Sequence, residues 1–156
     1  MTFVDDGGAG ALLHRPAAPF EMGRSAMTVL APPAATAGRY SLYRFDLQPR
    51  SGGPGPHLHR TFAESFVVLS GEVELYDGVR WSVGRPSDHL CVPEGVVHAF
   101  RHRADEPASI LVLSTPAAPR EDYFAELAAL LERDHEATLP ELLDLWARHD
   151  TYPPPG

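Results

Sequence analysis

Apolar and polar residues alternate along the central part of the chain, as they do in β-strands that bury one face. Residues 39–47 (RYSLYRFDL) alternate most clearly, and residues 72–76 (EVELY) repeat the pattern. Other strand-like runs, separated by turn-forming residues, occur at 27–30, 65–69, 79–83, 88–92, 97–103 and 108–114. Short strands at nearly regular spacing predict an antiparallel sandwich or barrel.

One turn between these runs has a specific sequence signal. Asp77-Gly78 separates an alternating run from the strand-like residues that follow it. An Asp-Gly pair in this position favours a tight two-residue turn, because both residues tolerate the left-handed backbone that such a turn requires. The pair therefore predicts a β-hairpin over residues 72–83.

The pattern becomes helical near the end of the chain. Apolar residues recur every three or four positions from Arg120 to Leu131, and again from Leu139 to Trp146. We interpret the apolar stripes of these helices as packing surfaces, against the β-rich part or a partner chain, with substrate capping as the alternative. The predicted single domain has three parts: an N-terminal arm (1–25), a barrel (26–117) and C-terminal helices with a proline-rich tail (118–156).

Composition and charge exclude several classes of function. The formal net charge is −8, so we predict no nucleic-acid partner. No apolar stretch approaches the roughly 20 residues that cross a membrane, and the N-terminus lacks the pattern of a secretory signal. We therefore predict a cytoplasmic protein with no membrane partner. Cys91 is the single cysteine, which excludes an internal disulfide, and its strand-like surroundings predict a buried, inert thiol rather than a reactive one.

Three histidines and one glutamate are spaced as ligands of a single metal ion. His57 and His59 alternate, so both side chains point to one face of an extended segment. Glu64 leads into an apolar run, and a carboxylate that enters a buried sheet needs a partner or a metal. With His98 downstream, the set suits one divalent transition metal: Fe, Ni, Mn, Co or Zn. Such a set leaves coordination positions open for a substrate.

The spacing of these residues resembles the first sequence motif of the cupin superfamily. That motif runs His-x-His, three or four residues, Glu, six residues, Gly. Its positions are filled here by His57, His59, Glu64 and Gly71.

The downstream residues resemble the second cupin motif. Pro93, Gly95 and His98 occupy its standard positions. Ser87 stands where the motif has Gly, and His102 stands where it has Asn, but no metal ligand is lost. Together the two motifs extend the resemblance over roughly residues 40–115.

The downstream residues 114–116 (STP) and 121–124 (EDYF) resemble the continuation of the small single-domain quercetin-dioxygenase-like cupins of bacteria. This resemblance implies a mainly β fold, the double-stranded β-helix or jelly-roll barrel, here with a C-terminal helical extension. It implies a metal held by His57, His59, Glu64 and His98, a small-molecule substrate and a homodimer. It also implies that Glu64 acts as a catalytic base on a substrate hydroxyl.

From these residues we predict a metal-dependent dioxygenase that acts on a small aromatic, flavonol-like or polyhydroxylated molecule. His102 is either a catalytic proton shuttle or a polar residue near the barrel rim, because it shares strand parity with His98. The predicted apolar walls of the substrate pocket are Phe62, Phe66, Val68 and Phe100.

Two other functions use the same fold and remain open at this point. The first is a non-oxidative, metal-dependent isomerase or cyclase that polarises a carbonyl of a polyketide or sugar-derived substrate. The second is a small-ligand-binding cupin without catalytic activity, since a fold does not fix a reaction.

Overall fold

Two antiparallel β-sheets and two C-terminal helices form the protein in the computed structural model, which describes residues 10–133 and 136–156. The strands are β1 (Phe20–Met22), β2 (Ser25–Ala31), β3 (Ser41–Leu47), β4 (Ala63–Ser70), β5 (Val73–Tyr76), β6 (Trp81–Gly84), β7 (His89–Val92), β8 (Ala99–Arg101) and β9 (Ala108–Thr115). A short 3₁₀ helix (Pro33–Thr36) precedes β3, and the α-helices are α1 (Glu121–Leu131) and α2 (Leu139–Arg148).

The six-stranded sheet has the order β1-β2-β3-β9-β4-β7, and the three-stranded sheet has the order β6-β5-β8. In the centre of the larger sheet β3 pairs with β9, so that Tyr43 faces Val112 and Phe45 faces Ile110. Burial alternates strictly along both strands. Their inward residues meet buried side chains of the smaller sheet, such as Leu75, so the core lies between the sheets.

The structure confirms the predicted fold class, a mainly β jelly roll with two helices late in the chain. Each predicted strand is present, with ends that differ by a few residues. The sequence pattern missed β1, which pairs Phe20 with Met27 and lies inside the predicted N-terminal arm. Residues 1–9 of that arm lie outside the described residues.

Two local predictions were wrong. The hairpin at Asp77-Gly78 has a four-residue connection, because Tyr76 pairs with Trp81. The carboxylate of Asp77 accepts hydrogen bonds from the main-chain N–H groups of Val79 and Arg80, and these bonds stabilise the wider turn. Cys91 is exposed rather than buried, because β7 is an edge strand in which it points away from the buried Val92.

The two helices pack on the β-rich part of the same chain. Helix α1 lies against β1, and the ring of Phe124 contacts the rings of Tyr43 and Phe45 at centroid distances of 5.9 and 5.6 Å. A capping box between Thr138 and Glu141 begins helix α2. In the described residues, neither helix is long and apolar enough to cross a membrane.

After α2 the chain returns to the segment that contains His57 and His59. Leu58 and Tyr152 exchange two main-chain hydrogen bonds, with N···O distances of 2.9 and 3.0 Å. The guanidinium of Arg60 also lies over the ring of Tyr152, at 3.9 Å from its centroid. These contacts hold residues 149–152 beside the two histidines of the first motif.

Candidate metal centre

Four buried side chains converge at one end of the space between the sheets. They are His57, His59, Glu64 and His98, and each offers one ligand atom within 4.8 Å of the others. The shortest contacts join Glu64 Oε2 to His98 Nε2 at 3.0 Å and to His59 Nε2 at 3.4 Å. The structure therefore brings together all four residues that the sequence predicted as ligands.

Backbone pairing between the two motifs explains this convergence. His57 N donates to His98 O at 3.0 Å, and His98 N donates to His57 O at 2.8 Å. Glu64 is the second residue of β4, where Val92 of β7 and Ser114 of β9 are its partners on either side. Its position in the middle of three strands fixes the direction of the carboxylate.

Each of the three imidazoles is oriented by a main-chain carbonyl. The Nδ1–O pairs are His57 with Gly55 (2.8 Å), His59 with Asp150 (2.7 Å) and His98 with Val96 (3.0 Å). A carbonyl oxygen only accepts, so each Nδ1 carries the proton of the ring. Each Nε2 is then free to offer its lone pair to the centre of the cluster, which is the arrangement that metal-binding histidines use.

Electrostatics also prepare the cluster for a cation. Burial raises the pKa of Glu64, but the close contacts of its carboxylate with His59 and His98 outweigh it and hold that pKa well below its usual value. Burial, followed by the nearby His98, lowers the pKa of His57 to about 3. Near neutral pH the cluster therefore contains a carboxylate and a neutral His57. A buried carboxylate needs a positive partner, and with imidazole nitrogens around it the donor set fits a divalent metal.

Asp150 supports the cluster from the C-terminal end of the chain. Its carbonyl holds His59, as described above, and its carboxylate accepts from the main-chain N–H groups of Arg60 and Thr61 and from the Thr61 hydroxyl. The sequence analysis did not find this residue. No spacing rule links positions separated by about 90 residues, so the primary structure carries no signal for it.

A cavity of about 520 Å³ adjoins the cluster, a size typical of small-molecule sites. Phe66 and Phe100 line it, as predicted. The other two predicted wall residues do not. Val68 lies two residues beyond Phe66 on β4, in the closed core against Gly84. Phe62 lies behind the cluster, where its ring stacks on that of His59 at a centroid distance of 4.3 Å.

The opposite wall of the cavity comes from the two helices. Residues of α1 and α2 that face it are Tyr123, Phe124, Leu127, Leu131, Leu142 and Trp146. The ring of Trp146 is 5.6 Å from that of His57, measured between centroids. The apolar stripes thus pack on the β-rich part of the chain and also line the cavity, and substrate capping stays a prediction.

His102 is buried but does not line this cavity. It lies four residues beyond His98 along the line of β8, a separation of roughly 13 Å in an extended chain. Its Nδ1 lies 3.0 Å from the carbonyl oxygen of Glu72, and its Nε2 lies 2.8 Å from that of Glu106. These contacts favour a structural role for His102, and the predicted proton shuttle has no contact with the cluster to support it.

Comparisons with known proteins agree with the architecture. The family model described as a cupin domain matches residues 43–114. No curated protein matches the sequence. Among solved structures, a sugar phosphate isomerase of the cupin superfamily from Silicibacter pomeroyi is 26% identical with a TM-score of 0.50. That match covers 57% of this chain and 59% of the isomerase, so this chain spans less than two thirds of its length.

The matches with two other similar structures cover more of this chain than the cupin-domain model does. The polyketide cyclase RemF from Streptomyces resistomycificus is 22% identical with a TM-score of 0.53, over 74% of this chain and 80% of the cyclase. KdgF from a Halomonas species is 17% identical with a TM-score of 0.53, over 70% of this chain and 89% of KdgF. At these identities the likeness shows the fold alone.

Proposed function

Because residues 43–114 match the cupin domain and three of the four ligand-type side chains (His57, His59 and Glu64) line a cavity, we propose that this chain is a metal-dependent enzyme with a small aromatic substrate. The reaction that we propose first is a dioxygenation. The observation that carries the proposal is the shared orientation of the three imidazoles: every Nδ1 is held by a carbonyl, and Nε2 of His59 and of His98 lie 3.4 and 3.0 Å from Glu64 Oε2.

His57, His59, Glu64 and His98 would hold the metal, which is one of Fe, Ni, Mn, Co or Zn. When bound, it would supply Lewis acidity and a point at which substrate and dioxygen approach each other. The protein contributes a negative charge at Glu64, whose Oε1 lies 3.4 Å from the hydroxyl of Ser114. Glu64 Oε2 is the atom that would accept a proton from a substrate hydroxyl.

The walls of the cavity support an aromatic substrate over a polyhydroxylated one. Phe66 and Phe100 on one side face Tyr123 and Trp146 on the other, and flat rings pack well against such side chains. The helices also shield the cluster from bulk water. Exclusion of water strengthens each electrostatic interaction inside the cavity.

A non-oxidative isomerase or cyclase is the second candidate, because it would use the same ligands and the same shielded cavity. Two similar structures, named as a sugar phosphate isomerase and a polyketide cyclase, support this candidate. The largely apolar walls fit a polyketide better than a sugar phosphate. In this reaction Glu64 would again hold or move a proton.

Metal analysis of freshly purified protein tests the shared premise. We expect the wild type to retain a divalent metal and the variants His57→Ala and Glu64→Ala to lose most of it. His89→Ala is the matched control, because His89 is an exposed histidine on β7 and lies outside the cluster. Equal, low metal content in the wild type and the two cluster variants would show that the premise is wrong.

Oxygen uptake then separates the two reactions. With flavonols and other enolised phenols, the dioxygenase predicts consumption of oxygen in step with loss of substrate. Turnover that continues without oxygen, or with zinc as the metal, would support the isomerase or cyclase. Metal retention without turnover of phenolic, enol or sugar substrates would favour a non-enzymatic binding protein.

A further inference from the structure

Arg120 is a buried cation that has no acidic partner in the described part of the chain. Its residue is 6% exposed, and none of the ion pairs formed by the described residues includes it. A buried charge is costly unless something compensates for it. An arginine without an acidic partner can take a counter-charge from a bound ligand.

Neutral groups hold the guanidinium in one position. Its Nη1 donates to the carbonyl of His149 at 2.6 Å and to the hydroxyl of Thr151 at 3.2 Å. Its central carbon lies 3.9 Å from the centroid of the Tyr123 ring, a cation–π contact. A guanidinium has five N–H donors in a planar fork, and the two hydrogen bonds to His149 and Thr151 use Nη1 alone.

Arg120 faces the same cavity as the metal cluster. It is one of the residues that line the cavity, and Thr151 Oγ1 lies within 3.5 Å of His59 Nδ1 while it accepts from Arg120. Phe62, which stacks on His59, is also 5.8 Å from the guanidinium carbon. A ligand of modest size therefore reaches both the cluster and Arg120.

The charges around the cavity favour an anion. Two arginines, Arg24 and Arg120, line it, and Glu64 is the one carboxylate in the lining that the structure describes. Glu64 is already engaged with the histidines of the cluster. In a chain with a net charge of −8, this interior is a local positive region.

We propose that Arg120 recognises the carboxylate of the substrate, and that the substrate is therefore a small aromatic carboxylic acid. The planar fork of an arginine matches a carboxylate with two parallel hydrogen bonds, while the aromatic walls enclose the ring. The identification as a substrate rests on the proposed function. The recognition of the carboxylate itself does not require the metal.

The test compares two probes that differ in charge and little in shape, naphthalene-2-carboxylate and naphthalene-2-carboxamide. Their affinities are measured by calorimetry on wild-type protein that has been treated with EDTA, so that a metal cannot bind the carboxylate. We expect the carboxylate to bind about tenfold more tightly or better, as charge-assisted hydrogen bonds allow. The variant Arg120→Gln should lose this preference.

Arg24→Gln and Thr151→Val are the matched controls. The first removes the other arginine of the lining, which donates to the carbonyl of Pro49, and the second removes one neutral partner of Arg120. Both should keep most of the preference for the carboxylate, because each retains the guanidinium of Arg120. Circular dichroism monitors folding, and if Arg120→Gln does not fold, Arg120→Lys replaces it. Because a lysine keeps the charge and loses the fork, its preference should be intermediate.

Equal binding of the two probes by the wild type, or failure of the carboxylate to bind, would overturn the proposal. A preference that persists in Arg120→Gln, or that the lysine variant leaves unchanged, would overturn it as well. These outcomes are independent of the metal. A protein that prefers the carboxylate but retains no metal and shows no turnover would contradict the proposed enzyme and leave the role of Arg120 intact.

Discussion

The main-chain carbonyl of Asp150 accepts a hydrogen bond from Nδ1 of His59 at 2.7 Å, across 91 residues of sequence. The bond selects the ring tautomer that leaves His59 Nε2 free to bind a metal. The carboxylate of the same residue is tied to the chain directly after His59, through Arg60 and Thr61. The end of the chain is thus part of the support of the candidate metal centre.

Removal of the Asp150 carboxylate should weaken metal binding. Asp150 has a positive φ of 49°, so Asp150→Gly keeps the backbone conformation and removes the three hydrogen-bond partners of the carboxylate. We expect metal affinity to fall by roughly 10- to 100-fold, as for other groups that orient a ligand. Competition with a chelating dye measures the affinity. Asp150→Asn, which keeps an acceptor, should restore most of it, and an unchanged affinity in the glycine variant would contradict this role.

The loop before His57 offers a matched pair of glycines. A Cβ at Gly53 would collide with the main chain of Phe100 and Arg101, whereas a Cβ at Gly55 would meet no atom within 4 Å. Gly53→Ala should therefore shift the loop and lower both stability and metal content, and Gly55→Ala should change neither appreciably. Thermal unfolding and metal analysis of the two variants provide the comparison. Similar behaviour of both alanine variants would show that the close approach at Gly53 is unimportant.

Substitution of His102 tests whether this residue has a structural or a catalytic role. His102→Ala would remove the buried imidazole whose ring nitrogens contact the carbonyls of Glu72 and Glu106, and it should cost about 1–3 kcal/mol of unfolding free energy. Turnover per bound metal should stay at the wild-type level, because His102 does not line the cavity. Denaturant titrations and rates normalised to metal content measure the two effects. A stable variant with a large loss of rate would instead support the proton shuttle.

Tyr43 should make stability sensitive to alkaline pH. Burial raises the pKa of Tyr43 from its ordinary value of 10.0 to about 12, and its hydroxyl donates to the carbonyl of Ala118 at 2.8 Å. Because the folded pKa lies above the unfolded one, this contribution is complete below about pH 10 and is lost as the pH rises towards about 12. The loss should reach roughly 2–3 kcal/mol of unfolding free energy.

Denaturant titrations between pH 8 and pH 12 measure this effect. Tyr43→Phe should remove a large part of the alkaline loss, while Tyr40→Phe, at an exposed position, should keep it. Some loss should remain in the first variant, because burial also raises the pKa of Tyr123. An alkaline profile that is identical in Tyr43→Phe and the wild type would contradict the assignment.

The order of the strands along the chain and the identity of the four ligand-type residues followed from the sequence. The alternation of residues 39–47 and 72–76 has a period of two because successive side chains point to opposite faces of a strand, which is a local property. The spacing of His57, His59 and Glu64 is local as well, and His98 follows from a second motif of known spacing. β1 escaped prediction because three residues are too few to show a period.

The sequence by itself determined an antiparallel β-rich fold and a four-residue set of ligand-type side chains, because both depend on short-range patterns, and the resemblance to the cupin motifs added the jelly-roll class. The tertiary structure alone decided which residues surround that set. A helical apolar stripe has the same period whether it packs on a sheet or lines a cavity. The sequence therefore did not show that Tyr123 and Trp146 line the cavity. Asp150 and Arg120 lie at the site only because the folded chain returns there. Contacts between residues that are distant in sequence produce no pattern in the local sequence.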